Sequence, residues 1–162
     1  MPKDWPQDIK NMHDHYGVTN AMKQLTPEML QSYLTFRFNF LQEELNEGRK
    51  AIEGGDSEEI VDSLIDLCVV AIGTLDVYGV DPHLAWDEVL HANMNKIVGV
   101  KASRPNPYKL PDLIKPTGWV APSHKGNHGI IPNAFSPKVH EHPASTVAEI
   151  QKKWADAVSE TY

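Results

Sequence analysis

Length, composition and charge limit the classes of protein that this sequence can encode. The chain has 162 residues, of which 41% are hydrophobic, and this is typical of one soluble globular domain with a modest tail. Its formal net charge of −7 argues against a broad surface for duplex DNA or RNA. It contains no run of roughly eighteen apolar residues and no secretion-signal pattern, so we expect a cytoplasmic protein without a membrane partner. The single Cys68 excludes an internal disulfide.

Capping residues divide the chain into predicted helices. Thr26 and Asp81 are placed as N-caps, each followed by proline at the first helical position, while Gly54 and Gly55 end one helix before Asp56 opens the next. Short links between long helices predict antiparallel neighbours. We therefore predict an all-α fold in which residues 1–98 form an antiparallel helical bundle without strands. The predicted helices cover residues 4–16, 27–53, 57–78, 82–98 and 145–160.

Residues 99–162 are predicted to form an extended arm with a terminal helix, within the same domain. The stretch over 99–144 is proline-rich and too long for an ordinary loop inside a compact domain. We expect it to lie over the domain or over a neighbouring subunit, because a solvated linker seldom carries so many large apolar groups. The expected anchors are Tyr108, Trp119, Ile130, Ile131 and Phe135.

Carboxylates recur beside apolar residues in the helix predicted over 27–53. At about 100° per residue, one apolar stripe should face the core. Glu44 and Glu47 lie to one side of this stripe and should continue a half-buried line, whereas Glu43 points away. The stripe consists of Leu30, Leu34, Phe38, Leu41, Leu45 and Ile52.

The next helix carries Asp62 and Asp66 almost opposite its main apolar stripe. Val69 and Val70 occupy that same opposite face further along, so the second half of the helix is apolar on all sides, as in a bundle or a dimer. Asp66 and Asp62 are therefore predicted at the edge of a poorly hydrated site. The main stripe consists of Ile60, Val61, Leu64, Cys68, Ala71 and Leu75.

Carboxylates one turn apart in such a site repel one another. Two like charges 4 Å apart cost about 4 kcal/mol at an effective dielectric near 20, and burial adds desolvation. No Lys or Arg lies one turn from Asp62 or Asp66, so divalent cations are the economical partners. Oxygen ligands favour Mg²⁺, with Mn²⁺ as a substitute, and residues 40–70 lack the histidines of a helical di-iron site. Magnesium so held takes further ligands from water and substrate phosphates.

Groups that suit phosphate recognition occur in the helix predicted over 82–98. Asn93 falls within an apolar stripe and Lys96 lies one turn further along. A buried amide needs hydrogen-bond partners, and an amide beside an ammonium can bind phosphate oxygens near a metal. Arg37, at the border of the first stripe, is a further candidate. The stripe around Asn93 consists of Trp86, Val89, Leu90 and Ile97.

These motifs resemble the MazG-like all-α nucleoside triphosphate pyrophosphohydrolases, which are related to phosphoribosyl-ATP pyrophosphohydrolase and dimeric dUTPase. Glu43, Glu44 and Glu47 match the E-E-x-x-E element, and Asn93 with Lys96 matches the Asn/Lys motif. The resemblance covers about residues 30–98. The segment "KPTGWVAPS" also looks like the C-terminal arm of phage-type members.

The second acidic motif departs from the E-x-x-D pattern of that group. Ser63 stands where the pattern has Glu, while Asp62 lies four residues before Asp66 and Glu59-x-x-Asp62 lies one turn earlier. Both registers fit a line that faces a metal. Asp66 is therefore the firmer assignment, and the choice between Glu59 and Asp62 stays open.

The resemblance implies Mg²⁺-dependent hydrolysis of an NTP or dNTP to the monophosphate and pyrophosphate, in control of a nucleotide pool. It also implies completion of the bundle as a homodimer or homotetramer. The implied metal ligands are Glu44, Glu47, Asp62 and Asp66. The implied catalytic set is Glu43, Glu44, Glu47 and Asp66, with Glu43 as an orienting group or the base. The implied phosphate ligands are Asn93, Lys96 and Arg37.

Two other functions fit the same residues. A non-catalytic helical dimerisation scaffold would keep the acidic site as a relic, and the displaced second motif favours it. A pyrophosphohydrolase acting on phosphoribosyl-ATP would keep the chemistry and change the substrate. Tyr33, Phe36 and Phe40 occur at helical spacing, which suits either core packing or stacking on a base.

Overall fold

The computed structural model describes residues 3–101, 103–104, 106–108 and 110–135. Within these ranges the chain is mostly helical with one short ribbon, which confirms the predicted all-α class. The predicted helix over 145–160 lies outside them. None of the described helices combines the length and the apolar character that crossing a bilayer requires. The elements are α1 Trp5–His15, α2 Val18–Met22, α3 Pro27–Gly54, α4 Ser57–Val77, α5 Pro82–Met94, β1 Ile97–Gly99, β2 Asp112–Ile114 and a 3-10 helix Ile131–Phe135.

The predicted N-caps start their helices as expected. The side chains of Thr26, Asp56 and Asp81 accept hydrogen bonds from first-turn backbone N–H groups at 3.3, 3.1 and 2.9 Å. After α3, Gly55 adopts a left-handed φ of 68°, which costs glycine no Cβ clash. These local signals fix the starts of the three longest predicted helices and the end of α3.

Two small elements are absent from the sequence prediction. Helix α2 spans a single turn and a half, and β1 and β2 form an antiparallel ribbon in which Ile97 lies opposite Ile114. Three-residue strands are too short to display a period-two pattern. Helix α5 ends at Met94 and not at residue 98, because the chain turns at Asn95 and enters β1.

Helices α3 and α4 pack together as an antiparallel pair at the centre of the molecule. Their contact line passes through Gly48 and Ser63, where a Cβ added to Gly48 would lie 2.6 Å from the Ser63 Oγ. The missing side chain therefore allows the two backbones to approach closely. The buried residues on α3 are Leu30, Tyr33, Glu44 and Ala51, and on α4 they are Ser63, Val70, Gly73, Thr74 and Val77.

The predicted apolar stripe of α3 faces the core only in its first half. Leu30 is buried and Leu34 packs against the core, but Phe38, Leu45 and Ile52 are exposed. The expectation that the whole stripe faces the core is therefore wrong. The contact line lies one residue earlier along the helix, where small and polar side chains permit the close approach of α4.

The main stripe of α4 is likewise not its buried side within one chain. Val61, Leu64 and Ala71 are exposed, whereas Ser63 and Val70 are buried. Sequence periodicity identifies both apolar sides of α4. It does not reveal which of the two sides α3 covers.

A buried hydrophobic cluster lies where α2, the start of α3, the end of α4 and the 3-10 helix meet. Tyr78 is fully buried at its centre, and its hydroxyl donates a hydrogen bond to the Leu30 carbonyl. The cluster consists of Met22, Leu30, Tyr33, Val77, Tyr78, Val80 and Ala134. This cluster fixes the first turns of α3 against the last turns of α4.

The arm contributes directly to this cluster. Ile130 and Ile131 pack against it, and the Ile130 N–H donates to the Tyr78 carbonyl at 2.8 Å. A Cβ at Gly129 would lie 2.0 Å from that same carbonyl oxygen, so only glycine fits there. The predicted anchors Ile130 and Ile131 are confirmed. Those at Tyr108 and Phe135 are wrong, because both side chains are exposed.

The arm also joins the turn between α4 and α5. The Asn127 side chain accepts a hydrogen bond from the Asp81 N–H and donates one to the Asp81 carbonyl, both at 2.8 Å. Asp81 is the N-cap of α5. One residue of the arm therefore holds the start of α5 through two backbone groups.

Replacing the buried tyrosine tests the cluster. Tyr78→Phe should lower the free energy of unfolding by about 1 kcal/mol, because it removes one buried hydrogen bond and keeps the ring. Urea denaturation measures the change, and Tyr108→Phe, at an exposed position, should leave it unaltered. Equal stabilities of the two variants would contradict this role.

The same tyrosine should make stability sensitive to alkali. Burial raises the pKa of Tyr78 to about 12, above its ordinary value of 10.0, so the unfolded chain loses this proton first. Its contribution is complete below pH 10 and is lost as the pH rises toward 12. Tyr78→Phe should weaken that decline in urea titrations at increasing pH.

Candidate active site

A buried carboxylate lies where α3 faces α4. Glu44 is 8% exposed, and burial is the main cause that raises its pKa. The charge of Asp66 raises that pKa further, followed by Glu47, Glu43 and Asp62. The structure therefore brings the predicted carboxylates of both helices into one electrostatic environment, centred on Glu44.

The carboxylates around Glu44 differ in their exposure to solvent. Asp66 is half-buried on the side of α4 that faces α3, whereas Glu43 and Asp62 are exposed. Glu43 was expected to point away from the core, and this is confirmed. Glu47 was expected on a half-buried line and is exposed, because the buried line of α3 continues through Gly48. The group thus consists of one buried carboxylate, Glu44, and neighbouring carboxylates that are half-buried or exposed to solvent.

No basic side chain in the described ranges forms an ion pair with these five carboxylates. Their oxygen donors match the chemistry that hard divalent cations prefer, and a cation would relieve the repulsion at Glu44. Across the described residues, however, no three His, Cys, Asp or Glu side chains converge in an arrangement that could hold a metal. The chemistry of the donors fits Mg²⁺, and the ligand set remains a prediction.

Arg37 is directed toward α4. Its Nε donates to the Thr74 Oγ1 at 3.0 Å, and one of its terminal amino groups donates to the Val70 carbonyl at 2.9 Å. The guanidinium also lies 5.7 Å from the centroid of the Phe40 ring. These contacts tie α3 to α4 two turns before Glu44. The role of Arg37 as a phosphate ligand stays a prediction.

A buried polar pair, which the sequence analysis did not predict, holds α1 against α4. The Nδ1 of His13 lies 2.6 Å from the Oδ2 of Asp76, and His13 is buried. A Cβ at Gly73 would lie 3.1 Å from both the His13 ring and the Arg37 guanidinium. Sequence spacing gives no signal for this pair, because its two residues belong to helices far apart in the chain.

Asn93 and Lys96 lie together at the end of α5. The Lys96 Nζ donates to the Asn93 Oδ1 at 2.6 Å, so their predicted proximity is confirmed. Asn93 is exposed, however, and the expectation of a buried amide is wrong. Trp86 and Leu90 on the same stripe are also exposed, because no other described element covers this side of α5. The contacts within the described ranges do not join Asn93 or Lys96 to Glu44 of the same chain.

Residues 17–93 match the sequence model of the family described as phosphoribosyl-ATP pyrophosphohydrolase. The match covers 77 of the 162 residues and indicates similarity to that family, within the MazG-like superfamily. This similarity supports pyrophosphohydrolase activity on a nucleotide-like substrate. The match begins just before α2 and includes the carboxylates around Glu44 as well as Asn93, whereas Lys96 and the arm lie beyond it. No curated protein matches the chain.

Neutralising the buried carboxylate should stabilise the protein when metal is absent. Because the folded state raises the pKa of Glu44, stability is lost as the pH rises from the ordinary glutamate pKa of 4.5 through the raised value. Glu44→Gln should therefore increase the free energy of unfolding at pH 7 in EDTA. This gain should vanish below about pH 4, where both states are protonated.

Glu53→Gln is the matched control, since it removes an exposed carboxylate from the same helix. Urea denaturation at pH 4 and pH 7 measures both variants. An unchanged or lower stability of Glu44→Gln at pH 7 would contradict the repulsive environment of Glu44.

Proposed function

We propose that this protein hydrolyses an NTP or dNTP to the monophosphate and pyrophosphate, in a reaction that depends on Mg²⁺. One observation carries the proposal: Glu44 is buried, the charges of carboxylates on both helices raise its pKa, and it has no basic side chain of the described ranges as a partner. These residues lie within the segment that matches the sequence model of a pyrophosphohydrolase family. An anionic pocket can accept a polyphosphate only when cations enter with it.

The metal ligands in this proposal are Glu44, Glu47, Asp62 and Asp66. Bound Mg²⁺, or Mn²⁺ in its place, would neutralise phosphate charge and lower the pKa of an attacking water. Of the four ligands, Glu44 has the greatest need for a bound cation, because burial leaves its charge the least hydrated. The exposed Asp62 and Glu47 leave the group of carboxylates accessible to a ligand.

The remaining roles fall to side chains that hold substrate or move a proton. Glu43 is exposed next to Glu44, so its carboxylate would orient the attacking water or accept its proton. The water oxygen bonds to the α-phosphorus, and the bond from that phosphorus to the bridging oxygen breaks to release pyrophosphate. Asn93 and Lys96 would donate hydrogen bonds to phosphate oxygens, while Arg37 keeps α3 and α4 in register.

Phosphoribosyl-ATP is the second candidate substrate, favoured by the description of the matching family. It presents the same type of phosphoanhydride, so the carboxylates alone do not separate it from an NTP. Incubation of the purified protein with Mg²⁺ and each of the eight common nucleotides, with phosphoribosyl-ATP alongside, decides between them. We expect pyrophosphate and a monophosphate from at least one NTP or dNTP. Release from none of the nine compounds by the folded protein would favour the scaffold.

Removing the central carboxylates should abolish turnover. Glu44→Gln and Asp66→Asn should each lower kcat/KM by at least about 100-fold, since loss of metal-site groups typically has effects of that size or more. Pyrophosphate release measures the loss, and EDTA should reproduce it in the unmodified protein. Mg²⁺ should also raise the Tm of the unmodified protein more than that of Glu44→Gln.

The control for this experiment is again Glu53→Gln, which should retain activity. Circular dichroism confirms that each variant is folded. Full activity of a folded Glu44→Gln would remove the buried carboxylate from the mechanism.

We also propose that the active form is a homodimer or homotetramer. Leu45 follows the buried Glu44, and Leu64 follows the buried Ser63, so each leucine lies about 100° around its helix from the contact line. Because α3 and α4 run antiparallel, these two rotations lead to the same side of the pair. The exposed residues that define this apolar side are Phe38, Leu45, Ile52, Val61 and Leu64, with exposed fractions from 39% to 67%.

An exposed apolar side that spans two helices is typical of a surface that another subunit covers. Ile52→Glu combined with Val61→Glu should therefore reduce the molar mass in solution to that of one chain. Light scattering coupled to size-exclusion chromatography measures the mass. Gln42→Glu, an exposed position of α3, adds the same type of charge and should leave the assembly intact. An unmodified protein that elutes as a monomer would contradict the proposal.

A further inference from the structure

Two lysines face each other where the ribbon begins. Ile97 of β1 is paired with Ile114 of β2 in an antiparallel register, and one step beyond this pair Lys96 stands opposite Lys115. Like charges directly opposite in an antiparallel pair destabilise it. The ribbon therefore begins with a repulsive pair whose presence packing alone does not explain.

The ammonium groups of both lysines lie close to the indole ring of Trp119. The Lys96 Nζ lies 5.7 Å and the Lys115 Nζ 4.3 Å from the centroid of the Trp119 ring. The Trp119 Nε1 donates to the Ala92 carbonyl at 2.7 Å, which fixes the ring on the last turns of α5. The expected anchor role of Trp119 is thus confirmed, and its ring contacts the ammonium groups of both lysines.

No carboxylate in the described ranges forms an ion pair with either lysine. Asp112, at the far end of β2, is engaged by Arg104 at 2.6 Å. Glu88 of α5 accepts a hydrogen bond from the Ser123 N–H at 3.1 Å. In a chain with a net charge of −7, two adjacent ammonium groups without a carboxylate partner mark a site for an external anion.

We propose that Lys115 acts with Lys96 to bind the polyphosphate group of the nucleotide. This inference deepens the proposed function and rests on it for the identity of the anion. The Lys96 Nζ already contacts the Asn93 amide, so Lys115 adds a second cation to that pair. Lys115 and Trp119 lie outside the family match over 17–93, and the arm thereby supplies a substrate-binding group of its own.

Charge reversal at one lysine separates anion binding from ribbon stability. Lys115→Glu places a carboxylate opposite Lys96, and opposite charges stabilise an antiparallel pair. The ribbon should therefore keep or gain stability while the anion site is lost. Lys115→Ala removes one cation only, and Lys125→Ala, an exposed lysine of the same arm, serves as the control.

Calorimetric titration with inorganic pyrophosphate and tripolyphosphate in EDTA measures the site without metal at the carboxylates. Lys115→Ala should raise the Kd about tenfold and Lys115→Glu more, because each change removes a charge-assisted contact. With the best nucleotide and Mg²⁺, Lys115→Ala should raise KM by a similar factor and leave kcat nearly unchanged. Lys125→Ala should match the unmodified protein in both assays.

The outcomes also separate this inference from the proposed function. Unchanged Kd and KM in both Lys115 variants would overturn the inference and leave the hydrolase proposal standing. Pyrophosphate binding that Lys115→Glu removes, in a protein that cleaves no nucleotide, would support the anion site and overturn the proposed function. Failure of the unmodified protein to bind either anion in EDTA would also overturn the inference.

Discussion

The burial of Glu44 between α3 and α4 is the constraint on which the site depends. Gly48 and Ser63 let the two backbones approach closely, and this approach covers a carboxylate that already has Asp66 as a neighbour. Burial and like charge both penalise ionisation, so the fold stores electrostatic repulsion at one point. A protein selected only for stability would have neutralised this position. Within its described ranges the chain supplies no basic partner for this charge, and oxygen donors of this kind are those that hard cations prefer.

Polar contacts further along the same helices hold that strained arrangement in place. Arg37 donates to Val70 and Thr74, and His13 contacts Asp76, so α1, α3 and α4 are joined on the side toward the end of α4. Each such hydrogen bond contributes about 1 kcal/mol in net terms, and bonds to charged groups contribute more. The pair of helices is therefore anchored at one end by polar contacts and the Tyr78 cluster. Its carboxylates lie in the other half, which few other described residues cover.

How much of this could be predicted from sequence depends on the range of the forces involved. Local capping fixed both ends of α3 and the starts of α4 and α5, and helical geometry placed Glu44 and Asp66 together, because those signals act within one or two turns. Helical periodicity did not predict that Leu45, Ile52 and Leu64 are exposed within one chain. An apolar stripe has the same periodicity whether its own chain or another subunit covers it. Periodicity also failed for Asn93 because no other described element covers that side of α5. The His13–Asp76 contact and the three-residue strands left no periodic signal.

The Gly129 contact helps the arm to connect the end of α4 with the start of α5. The backbone of the arm contacts the Tyr78 carbonyl just after the end of α4, and the Asn127 side chain forms hydrogen bonds with the backbone of Asp81, where α5 begins. The arm thus bridges the turn that connects α4 to α5, the helix that carries Asn93. A segment distant in sequence from the carboxylates therefore contacts the start of α5 through two backbone groups. A substitution at Asn127 would remove this contact and leave the residues around Glu44 unchanged.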